Sequence, residues 1–428
     1  MATHLLSGLR LTDKPAEAAT EANALRHFVQ SKFLEYYKEN SLHFQPPTSV
    51  SQREFGFLLF EGRVMLRHKS FRGVADLAAF LETTVPSDVY YSSAYYEHPA
   101  AEMEGKGWLG ADLVFDIDAD HIPTSCGKVH DSWVCSECGF AGRGPSPEKC
   151  PVCGEARFSA KTWICDACLE SAKDETGKLI GMLTEDFGFA EKEVKAYFSG
   201  NRGYHVHVEN ESVRSLDSLA RKGIVDYVIG LGFSIRLHGT VERGRVVVDE
   251  SSHGWKRRIA KGIETFLEET SPDRLEESGL NKRGADFLKK NRKRLLEDLR
   301  KNRYLDVKGV GAESWKKLVE WIASQEAARI DTVVTTDTHR LIRLARSLHG
   351  KTGLMKTEAS LSTLDTFDPL KEAVAFKEGQ VFVDVAEAPE FRIGDTIYGP
   401  FKKATRTELS TAAALFLCCK GVAKVVEE

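Results

Sequence analysis

Seven of the nine cysteines in this chain lie between Cys126 and Cys168, and no other feature limits its folding as tightly. In "CSECGFAGRGPSPEKCPVCG" four of them form two C-x2-C pairs, Cys135/Cys138 and Cys150/Cys153, 11 residues apart. Each pair ends in a glycine, Gly139 or Gly154. A small residue there lets backbone amides turn toward the thiolates, forming the knuckles of a zinc ribbon. Four soft ligands at this spacing favour tetrahedral Zn2+. Three cysteines remain: Cys126 upstream, and Cys165 and Cys168 in "WICDACL". A second tetrahedral site needs a fourth ligand, and His130 in "CGKVH" is the natural one, because Cys126-x3-His130 closes a small chelate loop. The competing reading is a surface histidine beside three idle thiols. With His130 included, the ribbon becomes an excursion between the halves of the second site. Both sites are closed, which makes them structural. In a reducing compartment such a cluster reads as metal binding before disulfides. The remaining pair, Cys418 and Cys419, sits in the apolar run "AAALFLCCKGV" and reads as packed core.

At 428 residues the chain can build two or three cores, or one elaborated core with insertions. A formal charge of −4 excludes a uniformly basic nucleic-acid coat but not local basic patches. No window approaches the roughly 18 consecutive apolar residues that span a bilayer. The start "MATHLLSGLRLTDKPAEA" lacks a basic region followed by an apolar one, so no signal peptide is expected and the chain is placed in the cytosol.

The pattern along the chain predicts a helix over 20–45, a β-hairpin in "REFGFLLFEGRVMLRHKSF", and a helix over 72–85 ending at Pro86. It predicts a strand over 111–119, a helix over 165–187, a strand-turn-strand in "EVKAYFSGNRGYHVHVEN", and a strand in "IDTVVTT". Short strands over 376–405 and a helix over 406–418 close the chain. Charged residues at helical spacing dominate 250–328. Within this region 281–303 carries ten Lys/Arg against three acidic residues, which suits a solvated helix face as well as nucleic-acid contact.

The stretch "ADLVFDIDAD" alternates acidic and apolar residues. Side chains at i and i+2 share a strand face, so Asp116 and Asp118 project together while Phe115 and Ile117 face a core. Carboxylates roughly 7 Å apart on a strand repel unless cations sit between them. Hard oxygen ligands select Mg2+ or Mn2+. A haloacid-dehalogenase-type phosphatase also ends a strand in D-x-D, but wants Thr or Val where Asp120 stands. Asp112 and Asp120 share the acidic face without an assigned role. "YFSGNRGYHVHV" supplies what a triphosphate needs: a turn at Ser199 and Gly200, the cation Arg202, close backbone approach at Gly203, and His205 and His207 on one strand face. In "RIDTVVTTDTHRLIRLARSLHGKTG", Asp331 opens an apolar strand as a third metal carboxylate. Arg340, Arg343, Arg346, His349 and Lys351 then form a cationic run of helical then loop character. A basic helix packing through Leu341, Leu344 and Leu348 is the plain alternative.

Together, and in this order, "REFGFLLFEGRVMLRHKSF", "LVFDID", "EDFGF", "YFSGNRGYHVHV", "KGIVDYV" and "SLHGKTG" resemble the archaeal and eukaryotic primase small (catalytic) subunit over most of the chain. The extra ribbon resembles the archaeal form. The resemblance implies an α+β fold: a mixed-sheet catalytic core (1–125, 169–250 and 329–428), an inserted zinc-binding module (126–168) and a helical insertion (251–328). It implies Asp116, Asp118 and Asp331 as ligands of catalytic Mg2+ or Mn2+. Ser199, Arg202, His205, Arg343, His349 and Arg67 would hold the incoming nucleotide. Asp337 is a rival third ligand, and Asn201 departs from the second arginine of many eukaryotic members. The implied activity is template-directed primer synthesis on single-stranded DNA from NTPs or dNTPs, beside a large primase subunit. A stand-alone primase-polymerase and a non-catalytic zinc-ribbon DNA-binding protein are the alternatives.

Overall fold

The computed structural model describes residues 14–40, 43–124, 126–233, 245–247, 253–269, 271–302, 304–306, 310, 312–402 and 404–426. Two four-stranded sheets carry the acidic and glycine-rich segments. In the first, the expected hairpin pairs β1 (Phe55–Leu58) with β2 (Met65–Lys69), and β3 (Asp88–Ser92) flanks β1 on its other side. In the second, β4 (Leu113–Asp118) pairs with β6 (Gly203–Val208), which turns back from β5 (Val194–Phe198). Later chain completes both: β7 (Leu341–Arg343) joins β3, and β8 (Thr357–Ala359) joins β5. Every strand pairing among the described residues is antiparallel. This corrects the expected mixed sheet: hairpins and long returns build these sheets, and no strand-helix-strand crossover places two neighbours in the same direction.

The helices follow their caps. α1 (Lys14–Asn40) and α2 (Val74–Thr84) form near their expected spans, and α2 stops where Val85 turns left-handed (φ 45°) ahead of Pro86. α3 (Asp166–Glu185) buries Leu169, Ala172, Thr176, Leu179 and Leu183, a helical stripe that packs on the second sheet. In the charged region α4 (Trp255–Glu268), α5 (Lys282–Asn302) and α6 (Ala312–Glu326) pack α4 between the other two. α5 buries Leu288, Leu295 and Leu299 and turns Lys282, Arg283, Lys289, Lys290, Lys293 and Arg294 outward. Its Arg300 pairs with Glu264 and Glu268 of α4. Buried apolar side chains form one continuous core from α1 through both sheets to the C-terminal helix. Among the described residues no helix is long and apolar enough to cross a membrane.

Three local expectations are overturned. "IDTVVTT" forms a short helix, α7 (Thr332–Thr336), because the Asp331 side chain caps the Val333 amide at 2.9 Å. The cap outweighs the β-branched run. "LIRLARSLHG" opens as strand β7, not as a helix; its backbone is taken up by β3, Leu341 opposite Ser92 and Arg343 opposite Tyr90. The expected helix 406–418 is a strand, Thr405–Ser410, followed by α8 (Thr411–Cys419), whose N-cap is Ser410. Cys418 is buried, in keeping with the core reading.

Candidate active site

The register of the second sheet assembles the site. β4 and β6 pair Asp118 with Gly203 and Asp116 with His205. Asp118, Asp116 and His205 therefore rise from one face, and Phe115, Ile117 and Val206 are fully buried beneath. Gly203 is dictated by sterics, because a Cβ there would lie 2.0 Å from the Ile117 carbonyl oxygen. Asp331 arrives from far along the chain and is tied directly to this strand: its amide donates to the Asp116 carbonyl at 2.8 Å. Asp337, the rival, accepts from the His339 amide at 2.9 Å, whereas Asp331 is, with Asp118, one of the two charges that push Asp116 up.

Asp116 records the crowding. Burial, then the charges of Asp118 and Asp331, push its carboxyl up to about 7; Arg340 and Lys356 pull the other way without cancelling them. Three oxygen ligands with this much uncompensated repulsion suit a hard divalent cation. His205 Nε2 lies 3.6 Å from Asp116 Oδ1. The ring is held neutral: burial, then Lys356, His207, Arg343 and His349, keep its pKa well below the usual histidine value.

A cationic wall stands beside the carboxylates. Arg343 is buried and donates to Asp88 Oδ1 at 2.7 Å, to Tyr90 Oη at 3.2 Å and to the Leu348 carbonyl at 3.3 Å. His349 Nδ1 accepts from the Lys351 amide at 3.1 Å, so the neutral ring carries its proton on Nε2. Burial and Arg343 hold this histidine well below its ordinary pKa, against the pull of Asp88. The loop containing His349 is clasped to the glycine turn: Thr352 Oγ1 donates to the Gly200 carbonyl at 2.5 Å, and Gly200 (φ 86°) approaches His349 so closely that a Cβ would sit 3.0 Å from that of His349. Ser199 closes the turn, its amide donating to the Gly203 carbonyl at 2.8 Å.

Three participants gave little warning in sequence. Asp88 fixes Arg343; it stands in "PSDVYY" with no motif around it. Lys356, buried, donates to the Arg343 carbonyl at 2.8 Å and lies 3.1 Å from His207 Nε2. Lys420, at the end of α8, adds a cation whose pKa falls to about 8 through burial, Arg202 and Lys351. Of the expected cationic run, Arg343 and His349 line the site and Arg340 acts on Asp116 through its charge, whereas Arg346 and Lys351 are exposed.

Two expected nucleotide contacts are engaged elsewhere. The Arg67 guanidinium lies on the buried Glu54 carboxylate, at 3.0 and 3.4 Å. Arg202 is 2% exposed, and its guanidinium meets Asp131 Oδ2 at 2.9 Å, Asp120 Oδ1 at 2.8 Å and Cys168 Sγ at 3.7 Å. Asp120 is thus Arg202's partner rather than a bystander. Asp112 leaves the acidic face altogether: it falls between β4 and a separate strand, Trp108–Ala111, and is buried against Arg53.

Both cysteine groups assemble as four-ligand sets. The ligand atoms of Cys135, Cys138, Cys150 and Cys153 lie within 4.8 Å of one another, as do those of Cys126, His130, Cys165 and Cys168. In the ribbon, Gly139 (φ 73°) and Gly154 (φ 78°) donate their amides to the Cys135 and Cys150 carbonyls at 3.0 and 2.9 Å. In the second set, His130 Nδ1 faces Asp131 Oδ1 at 2.7 Å, leaving Nε2 toward Cys168. That tautomer is the one a metal needs. Both donor sets fit zinc. Metal analysis of the purified chain is expected to return two zinc ions, and one after Cys126→Ser with Cys165→Ser; one ion in the wild type would sink the second site.

The family model for the DNA primase small subunit matches residues 147–361. The chain is 33% identical to the DNA primase small subunit PriS of Methanococcoides burtonii, over 93% of this chain and 98% of that one. It is 37% identical to PriS of Archaeoglobus fulgidus, over 92% and 97%, and 31% identical to PriS of Nitrosopumilus maritimus, over 93% and 98%. Full-length agreement at this level, on a chain with this site, has one meaning: the chain belongs to the DNA primase small subunit family, in its archaeal form.

Proposed function

We propose that this chain is the catalytic subunit of a DNA primase, joining NTPs or dNTPs on single-stranded DNA without a pre-existing primer. The observation that carries the reading is the convergence of Asp116, Asp118 and Asp331 beside the buried wall of His205, Arg343 and His349. The three aspartates would hold two Mg2+ or Mn2+ ions, which, when bound, lower the pKa of an attacking 3′-hydroxyl and neutralise the departing pyrophosphate. Arg343, immobilised by Asp88, presents a fixed positive charge to the triphosphate and costs little reorganisation when it binds. His349 donates from Nε2, and neutral His205 spaces the phosphates from Asp116 without adding charge. The turn Ser199–Gly203 offers backbone close enough for a phosphate oxygen to approach. Arg67 contributes at the rim of the same pocket after release from Glu54.

The core segments 1–125, 169–250 and 329–428 form the catalytic body, 126–168 the zinc module and 251–328 the helical insertion. The template lies over basic surface, so its affinity falls steeply with salt. A large primase subunit completes the enzyme as a heterodimer, in the cytoplasm with the replication machinery.

A primer-synthesis assay on single-stranded DNA with Mg2+ or Mn2+ and labelled nucleotide tests the reading. Products should appear without added primer; a purified, zinc-loaded chain that binds DNA yet incorporates nothing would favour a non-catalytic zinc-ribbon protein. His349→Ala should lower kcat/KM for nucleotide about 10- to 100-fold, the range for losing a hydrogen bond to a charged partner. An unchanged value would remove His349 from the pocket.

A further inference from the structure

Arg202 brings the charge of the glycine turn, yet its guanidinium is committed to the cysteine side of that turn. The partner that holds it, Asp131, is 6% exposed and has both oxygens occupied. Oδ1 meets His130 Nδ1 at 2.7 Å and accepts from the Trp163 amide at 2.9 Å; Oδ2 accepts from Arg202 at 2.9 Å. Arg202 continues the line toward the carboxylates. Its guanidinium meets Asp120 at 2.8 Å, its carbonyl accepts from the Ala119 amide at 3.1 Å, and the Asp120 amide donates to Asp118 Oδ1 at 3.1 Å. The line His130–Asp131–Arg202–Asp120–Asp118 thus joins a ligand of the second cysteine site to a catalytic aspartate through short polar contacts.

We propose that Asp131 is a positioning residue for nucleotidyl transfer: one oxygen orients the metal ligand His130, the other seats Arg202 beneath the 199–203 turn, and so metal at Cys126/His130/Cys165/Cys168 and nucleotide at the carboxylates reinforce each other. The inference rests on the primase reading of the carboxylate site. A carboxylate that orients a ligating imidazole commonly fixes its tautomer and direction. Here the same carboxylate cannot move toward Arg202 without turning His130, because Asp131 is buried and each partner occupies a different one of its oxygens. Coupling between two binding sites is reciprocal. Nucleotide should therefore protect the second metal site as much as that site sharpens nucleotide binding, and the ribbon, which lacks this connection, should be indifferent.

The test uses the full-length chain loaded with zinc. Alkylation of each cysteine by N-ethylmaleimide is followed by peptide mass spectrometry, with and without Mg2+, the four ribonucleoside triphosphates and a single-stranded template. Cys126, Cys165 and Cys168 are expected to react at least about fivefold more slowly with nucleotide, the lower end of ordinary coupling, while Cys135, Cys138, Cys150 and Cys153 keep their rates. In Asp131→Asn that protection disappears, and KM for nucleotide rises about fivefold or more with two zinc ions retained. If Asp131→Asn keeps both zinc ions, the protection and the wild-type KM, the inference fails. If Asp131→Asn loses the second zinc, Arg202→Lys decides, because it leaves the His130–Asp131 pair intact: lost protection supports the coupling and preserved protection overturns it. Wild-type chain that incorporates no nucleotide at all would refute the primase reading instead, which keeps the two failures apart.

Discussion

Asp116→Asn is expected to cut templated nucleotide incorporation about a thousandfold or more while making the chain harder to melt. The loss follows from removing a ligand at the centre of a site whose ions supply both activation and charge neutralisation. The gain follows from Asp116's surroundings. Folding raises its pKa from 3.8 to about 7, through burial and then the neighbouring Asp118 and Asp331. A carboxyl raised on folding favours the folded chain only while protonated. Its penalty is absent below the unfolded value, grows from about pH 4 and is complete above about pH 7. The side chain is a quarter exposed, so water softens the effect to about 1–3 kcal/mol. In buffer free of Mg2+ and Mn2+, with zinc retained, wild type should lose melting temperature between pH 5 and 7.5, and Asp116→Asn should lose less and melt a few degrees higher at pH 7.5. Added Mg2+ should narrow the gap by stabilising only the wild type. Equal melting temperatures at pH 7.5 would mean that the three carboxylates do not strain one another, and full activity would end the catalytic reading.

The parts of this site that were legible in sequence are those where chemistry and periodicity coincide. Asp116 and Asp118 alternate with core residues, and the β4–β6 register turns that alternation into a shared face with His205. The cysteine sets were readable because tetrahedral thiolate sites need local spacing. What was hidden depends on pairing between distant segments. Asp88 and Lys356 look unremarkable in the chain, and only the β3–β7 pairing and the return of the 349–356 loop bring them to Arg343. Arg202 and Asp131 are 71 positions apart; Arg202 stood out beside its glycines, Asp131 drew no reading at all, and the contact between them had no sequence signal. The strand and helix errors share one cause. "TVVTT" and "LIRLARS" follow local propensity until a cap or a neighbouring strand claims the backbone, and propensities of a fraction of a kcal/mol per residue cannot resist that.

Asp112 is expected to behave opposite to Asp116, although four positions separate them in one acidic stretch. Arg53 is fully buried, and its guanidinium meets Asp112 Oδ2 at 2.5 Å while Tyr95 Oη donates to Oδ1 at 2.8 Å. The other acceptors of Arg53 are the Thr48, Ser92 and Ser93 carbonyls, which carry no net charge. Asp112 is therefore the counter-ion of a cation that water does not reach. Removing one partner of a buried pair costs about 3–5 kcal/mol, because the survivor keeps its desolvation penalty without compensation. Asp112→Asn should accordingly lower the melting temperature by roughly 5 °C or more and leave kcat/KM per folded molecule near wild type at a permissive temperature, because the carboxylate touches none of the site's groups. Arg53→Met with Asp112→Leu should cost less than either single change, since no charge is then left stranded. If Asp112→Asn melts with wild type, the pair is not a stabilising element of the fold; if it folds well but loses catalysis, Asp112 acts on the site after all, through the start of β4 that Arg221 clamps by its bonds to the Ala111 and Asp112 carbonyls at 2.7 and 2.9 Å.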